Sequence, residues 1–282
     1  LAETSTFLNT PSTSSQRKFI KVGGTRWAYT ESGTEGALWV TFHGYGQSAD
    51  VMERFMLHFR PEARGVHFDL PHHGETTTEQ ESISPSNLAD LLGKVMHEKG
   101  VNRCSLLAFS LGGKVTLKLA ELMPGKVERM ILIAPDGLKV NPLYRFTANT
   151  RFGGWLYGRV INNPNNLFTA AGVLRMSRIL HPKIEQFMHR QLDTREKRER
   201  VFNVWRTFRN ITPDLNDIRS KIQRYNISTV MVFGKHDRII RPSLGRKLDF
   251  GNHPKIRTIL LDKGHDLYGS DVAAELRDLI PI

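Results

Sequence analysis

A short apolar run that ends in a serine hemmed in by small neighbours sets the strongest limit on how this chain can fold. The run Cys104 to Phe109 reads as a buried parallel strand, and the apolar spacing of Val115, Leu117, Leu119 and Ala120 reads as an amphipathic helix. A chain that passes from strand to helix within one or two residues strains the turn residue, and its neighbours two positions away must be small to let the backbones pass. Ala108 and Gly112 are those neighbours of Ser110, and Gly113 adds clearance. The Ser110 hydroxyl is thereby presented at the strand's carboxyl end, beside helix N–H groups that favour a developing anion. A small-x-Ser-x-Gly pentapeptide also arises by chance at ordinary junctions, so its meaning depends on partners elsewhere in the chain.

The chain's 282 residues suffice for one large α/β domain, or for one with an inserted subdomain. The single cysteine, Cys104, falls in the predicted core strand and is expected to pack as a small hydrophobe, which leaves no disulfide framework and no cysteine metal cluster. No run approaches the ~18 apolar residues that span a bilayer, and the amino terminus lacks the layout of a signal peptide. The expected location is cytoplasmic, although the chain opens on Leu1 rather than Met and an upstream segment is compatible with that start.

Residues 1–16, rich in Ser and Thr, are expected to be a loosely held arm. From Arg17 the chain reads as a hairpin around Gly23-Gly24, then as the near-continuous apolar strand ALWVTF, which delivers it to His43-Gly44-Tyr45-Gly46. A helix is expected from Ala49 to Phe59, followed by the strand GVHFDL and the loop Pro71-His72-His73-Gly74-Glu75-Thr76. His43, His72 and His73 could be read as a metal cluster, but no acidic ligand pairs with them at a recognisable zinc spacing. A further helix is expected between a Ser86 cap and a Gly100 stop.

After the strand ERMILIA and Pro135-Asp136-Gly137, the alternation of strand and helix breaks off. From 138 to 212 there are only helical patches, separated at Gly153-Gly154, at 162–166 and at His181-Pro182. Alternation resumes with STVMVFG and KIRTILL. The interrupted stretch carries fourteen basic residues against four acidic, so most of the net charge of +12 belongs to it. Its last helix has an apolar stripe of Val201, Val204, Trp205, Phe208 and Ile211, ringed by basic residues that include Arg195, Lys197, Arg198 and Arg200. Two readings compete: the stripe packs on the core and the arginines are solvated, or the face meets an anionic substrate or a membrane surface. No nucleic-acid partner is expected, and the oligomeric state is open.

A serine hydroxyl needs a base within hydrogen-bond reach, and that base needs an orienting group. Two late loops offer them: Gly234-Lys235-His236-Asp237 after one strand and Lys263-Gly264-His265-Asp266 after the last. Asp136, also past a strand end, competes for the acid's place, and His236 for that of the base.

Ala108-x-Ser110-x-Gly112, together with the three loops above, resembles the α/β-hydrolase superfamily, whose nucleophile elbow is a known pattern with Gly in first place. The resemblance implies an α/β-hydrolase fold: a mostly parallel central sheet flanked by helices, with a core at 17–137 and 213–282 and a helical cap at 138–212. It implies Ser110 as nucleophile, His265 as base and Asp237 as its acid, in the chain order this fold uses. It also implies an oxyanion hole formed by the N–H groups of Tyr45 and Leu111. The segment Asp69 to Thr76 resembles the family's Asp-x-Pro-Gly-His-Gly-x-Ser loop, with His72 for Gly and Thr76 for Ser. The implied activity is that of a serine hydrolase acting on an ester or thioester of a small acyl substrate, with no cofactor and no metal. A carbon–carbon bond hydrolase with the same triad, or a non-catalytic binding protein for acidic partners or membranes, are the alternatives. Serine at the elbow argues against haloalkane dehalogenase and epoxide hydrolase chemistry, which use Asp there.

Overall fold

A computed structural model of the chain describes residues 16–140, 142–176 and 182–281. The expected arm at 1–16 therefore lies, but for its last residue, outside the described residues, as does the break at His181.

A hairpin opens the fold, β1 (Lys18–Val22) pairing antiparallel with β2 (Thr25–Ser32). Strands β3 (Leu38–Phe42), β4 (Arg64–Phe68), β6 (Cys104–Phe109), β7 (Val127–Ile133), β8 (Ser228–Gly234) and β9 (Ile256–Leu261) then run parallel to one another. The sheet order is β1-β2-β4-β3-β6-β7-β8-β9, and the two-residue β5 (Thr77–Thr78) pairs with β2. The central strands are apolar throughout because both faces are covered. Val40, Leu106, Met130 and Met231 face α2 (Pro85–Glu98), α3 (Leu111–Leu122) and α9 (Leu215–Arg224), while Trp39, Leu107, Ile131 and Val232 face α1 (Ala49–Phe59) and α10 (Ser270–Leu279). Cys104 is buried among the first set.

Two expected boundaries move. Helix α2 is capped by Ser84 rather than Ser86: the Ser84 hydroxyl accepts the Asn87 N–H, and the Asn87 side chain accepts that of Ser84. Pro85 fills the first helical position, where the missing N–H costs nothing, so the helix starts earlier than the Ser86 reading allows. Gly153-Gly154 does not separate helices either. It lies in the first turn of α5 (Arg151–Asn162), where the Thr150 hydroxyl accepts the Gly153 N–H at 2.9 Å. A Cβ on Gly153 would overlap the Phe146 carbonyl, so glycine there lets α4 (Pro142–Asn149) approach.

Between β7 and α9 the chain forms α4, α5, α6 (Asn165–Met176), α7 (Pro182–Leu192) and α8 (Arg195–Thr207). Helix α8 stops at Thr207, and the stripe continues into the following turn, where Phe208 and Ile211 join Val204 in the core. Trp205 instead packs on Tyr144 and Tyr157 within the insertion. Among the described residues no helix is long and apolar enough to cross a membrane.

Candidate active site

Ser110 sits between β6 and α3 with φ 47° and ψ −112°, a region that costs an L-residue about 1–3 kcal/mol. Its backbone is held on both sides: its N–H donates to the Ile133 carbonyl at 2.9 Å, and its carbonyl accepts the Asp136 N–H at 2.8 Å. The small neighbours are required, since a Cβ on Gly112 would overlap the Phe42 carbonyl and one on Gly113 would stand 2.5 Å from the Pro135 Cβ. Ala108 is fully buried, so a methyl group fits the first place of the motif.

Asp237 and His265 arrive from the ends of β8 and β9, and the two loops are stitched together. Lys235 N–H donates to the Leu261 carbonyl at 2.8 Å and His236 N–H to that of Lys263 at 3.0 Å. Gly234 is so close to the Gly264 carbonyl that a Cβ would overlap it. The Asp237 carboxylate, buried, accepts the Ile239 and Ile240 N–H groups on Oδ1 at 2.8 and 2.9 Å. Its Oδ2 lies 2.7 Å from His265 Nδ1. A carboxylate only accepts, so Nδ1 carries the proton and Nε2 is left to face the Ser110 hydroxyl at 3.2 Å. Phe109 braces the imidazole, with ring centroids 5.2 Å apart.

The competing residues are engaged elsewhere. Asp136 Oδ1 accepts the N–H of its own neighbour Gly137 at 2.7 Å, and the exposed His236 pairs with Asp262 at 2.8 Å.

The loop after β3 is tied to the elbow by the Gly112 N–H, which donates to the His43 carbonyl at 3.1 Å. Among the described residues, the N–H groups of Tyr45 and Leu111 have no hydrogen-bond acceptor. The Gln47 side chain helps set this loop by accepting the Gly44 N–H at 2.9 Å. His43 Nε2 accepts the Leu70 N–H while Nδ1 donates to the Gly44 carbonyl, so both ring nitrogens are used. Burial pushes its pKa down to about 4, and that of His73 down to about 3. No group of three or more potential ligands able to hold a metal occurs among the described residues.

The Asp69 loop shows why its two departures are tolerated. The Thr76 hydroxyl donates to the Asp69 carbonyl at 2.7 Å and accepts the Ala28 N–H at 2.8 Å, as a serine could. His72 has φ 66°, the left-handed region that favours glycine, and its ring meets the Thr207 hydroxyl at 2.8 Å. Sequence reasoning missed this tether to α8, and missed Gln47 and Phe109; left-handed backbone and loop-to-loop distance leave no periodic signal. A cavity of about 430 Å³ opens beside the site, lined by Gln47, Ser48, His72, His73, Arg200 and Tyr268 among others. Its lining does not include Ser110, but Tyr268 packs on Phe109, 5.2 Å between centroids.

The model of the alpha/beta hydrolase family matches residues 39–279. A pimeloyl-[acyl-carrier protein] methyl ester esterase of Legionella pneumophila is 22% identical over 233 residues, 81% of this chain and 87% of that protein. The dihydrolipoyllysine-residue acetyltransferase component of the acetoin cleaving system of Cupriavidus necator is 27% identical over 43% of this chain. That match spans 32% of the relative, so the chain corresponds to about a third of its length. The fold of a thermophilic esterase from Thermogutta terrifontis superposes with a TM-score of 0.64 at 16% identity, covering 94% of this chain and 95% of that one.

Proposed function

This chain belongs to the alpha/beta hydrolase family, and from that premise we propose that it is a serine hydrolase cleaving a carboxylic ester or thioester through an acyl-enzyme. The observation that carries this reading is the unbroken relay from Asp237 through His265 to Ser110, at 2.7 and 3.2 Å. His265 Nε2 takes the hydroxyl proton as Ser110 Oγ attacks the carbonyl carbon. The N–H groups of Tyr45 and Leu111 hold the resulting oxyanion, and Asp237 stabilises the imidazolium. Collapse returns the proton to the leaving alcohol or thiol, and a water activated by the same imidazole releases the acid. The esterase among the relatives supports the ester reading.

In the same reading residues 138–212 form a cap over the carboxyl ends of the strands, and 17–137 with 213–282 form the core. The tethers from His72 to Thr207 and from Lys114 to the Tyr144 hydroxyl, 2.9 Å, support it. The place of Arg200 in the wall of the cavity beside the site supports a part for α8 in substrate selection.

A fluorophosphonate probe tests the proposal. Covalent labelling of the native chain is expected, abolished in Ser110→Ala and strongly slowed in His265→Ala. Labelling that survives Ser110→Ala overturns the assignment. A panel of esters, thioesters and β-diketones then separates ester from carbon–carbon bond cleavage.

A further inference from the structure

Helix α5 is built inside out. Its inward side carries Gly153, Gly154 and Tyr157, while Phe152, Trp155 and Leu156 are 62%, 54% and 42% exposed. An ordinary amphipathic helix buries its large apolar side chains and shows water its small or polar ones. Phe146 of α4, 38% exposed, extends the patch: its ring lies 6.1 Å from Phe152, which stacks on Trp155 at 5.6 Å. Contiguous exposed aromatic rings mark a surface made to be covered.

The charge on the two helices that carry the patch has one sign: residues 142–162 contain Arg145, Arg151 and Arg159 and no Asp or Glu. Arg145 and Arg151 are exposed and have no acidic partner among the described residues. The Arg159 guanidinium lies 4.5 Å from the centre of the Trp155 ring. The basic cluster that the sequence makes conspicuous, at the start of α8, is different. Arg195 pairs with Glu199 at 2.8 Å, Lys197 pairs with Asp193 at 2.9 Å, and the buried Arg198 donates to the carbonyls of Ile161, Leu192 and Asp193. Three of those four cations are spent inside the insertion, whereas Arg145 and Arg151, beside the rings of α4 and α5, meet no acid among the described residues.

We propose that this face docks on an anionic lipid surface, the aromatic rings entering the headgroup layer while Arg145, Arg151 and Arg159 meet the lipid phosphates. Aromatic and arginine side chains combine an apolar body with a polar or charged end, the pattern of interfacial anchors. More than half exposed, Phe152 and Trp155 are suited to insertion. A second copy of the chain is a poor occupant, because pairing this face with itself sets arginine against arginine. The inference does not rest on the ester-hydrolysis reading.

Flotation of the full chain with phosphatidylglycerol or phosphatidylcholine vesicles tests it. Binding is expected to phosphatidylglycerol, weakened by salt, with a blue shift of Trp155 emission that is lost in Trp155→Phe. Phe152→Ser with Trp155→Ser should weaken binding by about tenfold or more. Arg151→Gln and Arg159→Gln should each cost about fivefold without disturbing the packing of α5. Turnover of a water-soluble ester should be unchanged in all of these variants; a native chain inactive on esters that still binds vesicles would sink only the catalytic reading. Equal partitioning into both lipids, or no effect of these variants, overturns the proposal. So does self-association that depends on Phe152 and Trp155, which would make the face a dimer interface. Binding to polyglutamate with the same dependence but not to vesicles overturns it in favour of an acidic protein.

Discussion

Asp237 accepts three hydrogen bonds, two from main-chain N–H groups and one from His265, so the carboxylate is held in one orientation against the imidazole. Asp237→Asn keeps the shape but offers a donor where His265 needs an acceptor, and favours the wrong tautomer. We expect a loss on the order of 10⁴ in kcat for ester hydrolysis, measured with saturating substrate, against much less for Asp136→Asn. The opposite ranking would move the acid to the end of β7. Sequence alone leaves the two aspartates in competition, because both follow strands. The distinction rests on where each carboxylate points, and Asp136 turns back to its own Gly137.

Elements meet at the site through close backbone approach. Gly112 joins three of them: it belongs to α3, follows β6 closely, and donates its N–H to the carbonyl of His43 past the end of β3. Gly112→Ala would drive a Cβ into the Phe42 carbonyl, which is backbone and cannot rotate away. Forced separation of α3 from β3 should cost about 3 kcal/mol in urea unfolding and lower ester turnover as well. An alanine there that leaves stability unchanged would mean that the contact is looser than it stands. The glycine spacing is legible in sequence. The partner that forces it, a strand about 70 residues earlier, is not.

Across the whole molecule, acid should weaken the fold. His43 and His67 are fully enclosed and His73 nearly so, and burial depresses their pKa values from 6.5 to about 4, 3 and 3. The folded chain therefore keeps these rings neutral where the unfolded chain protonates them. Their contribution is fully present above about pH 6.5, falls as pH drops below it, and levels off below the folded values. Each ring adds a slope of up to about 1.4 kcal/mol per pH unit. Urea unfolding should show a steep loss of stability between pH 7 and pH 5, and His67→Gln should remove about one proton from the uptake on unfolding. A flat profile would show that these rings are not enclosed as described.

The sequence by itself determined where three residues fall: a serine in a strained turn, an aspartate and a histidine, each just past the end of a strand. It could do so because parallel strands deliver all such loops to one edge of a sheet, so that linear order predicts spatial company. Apolar runs likewise revealed a sheet covered on both faces. Only the tertiary structure decided which aspartate reaches His265, where α2 begins, and that α5 runs through its glycines. It also decided which cations are free. Helical spacing puts Arg195, Lys197, Arg198 and Arg200 together and pairs Arg195 with Glu199 and Lys197 with Asp193, each four residues apart, but it does not show the Ile161 carbonyl of α5 that Arg198 meets. Arg198 is buried with its donors taken by three carbonyls that no pattern in its own helix foretells.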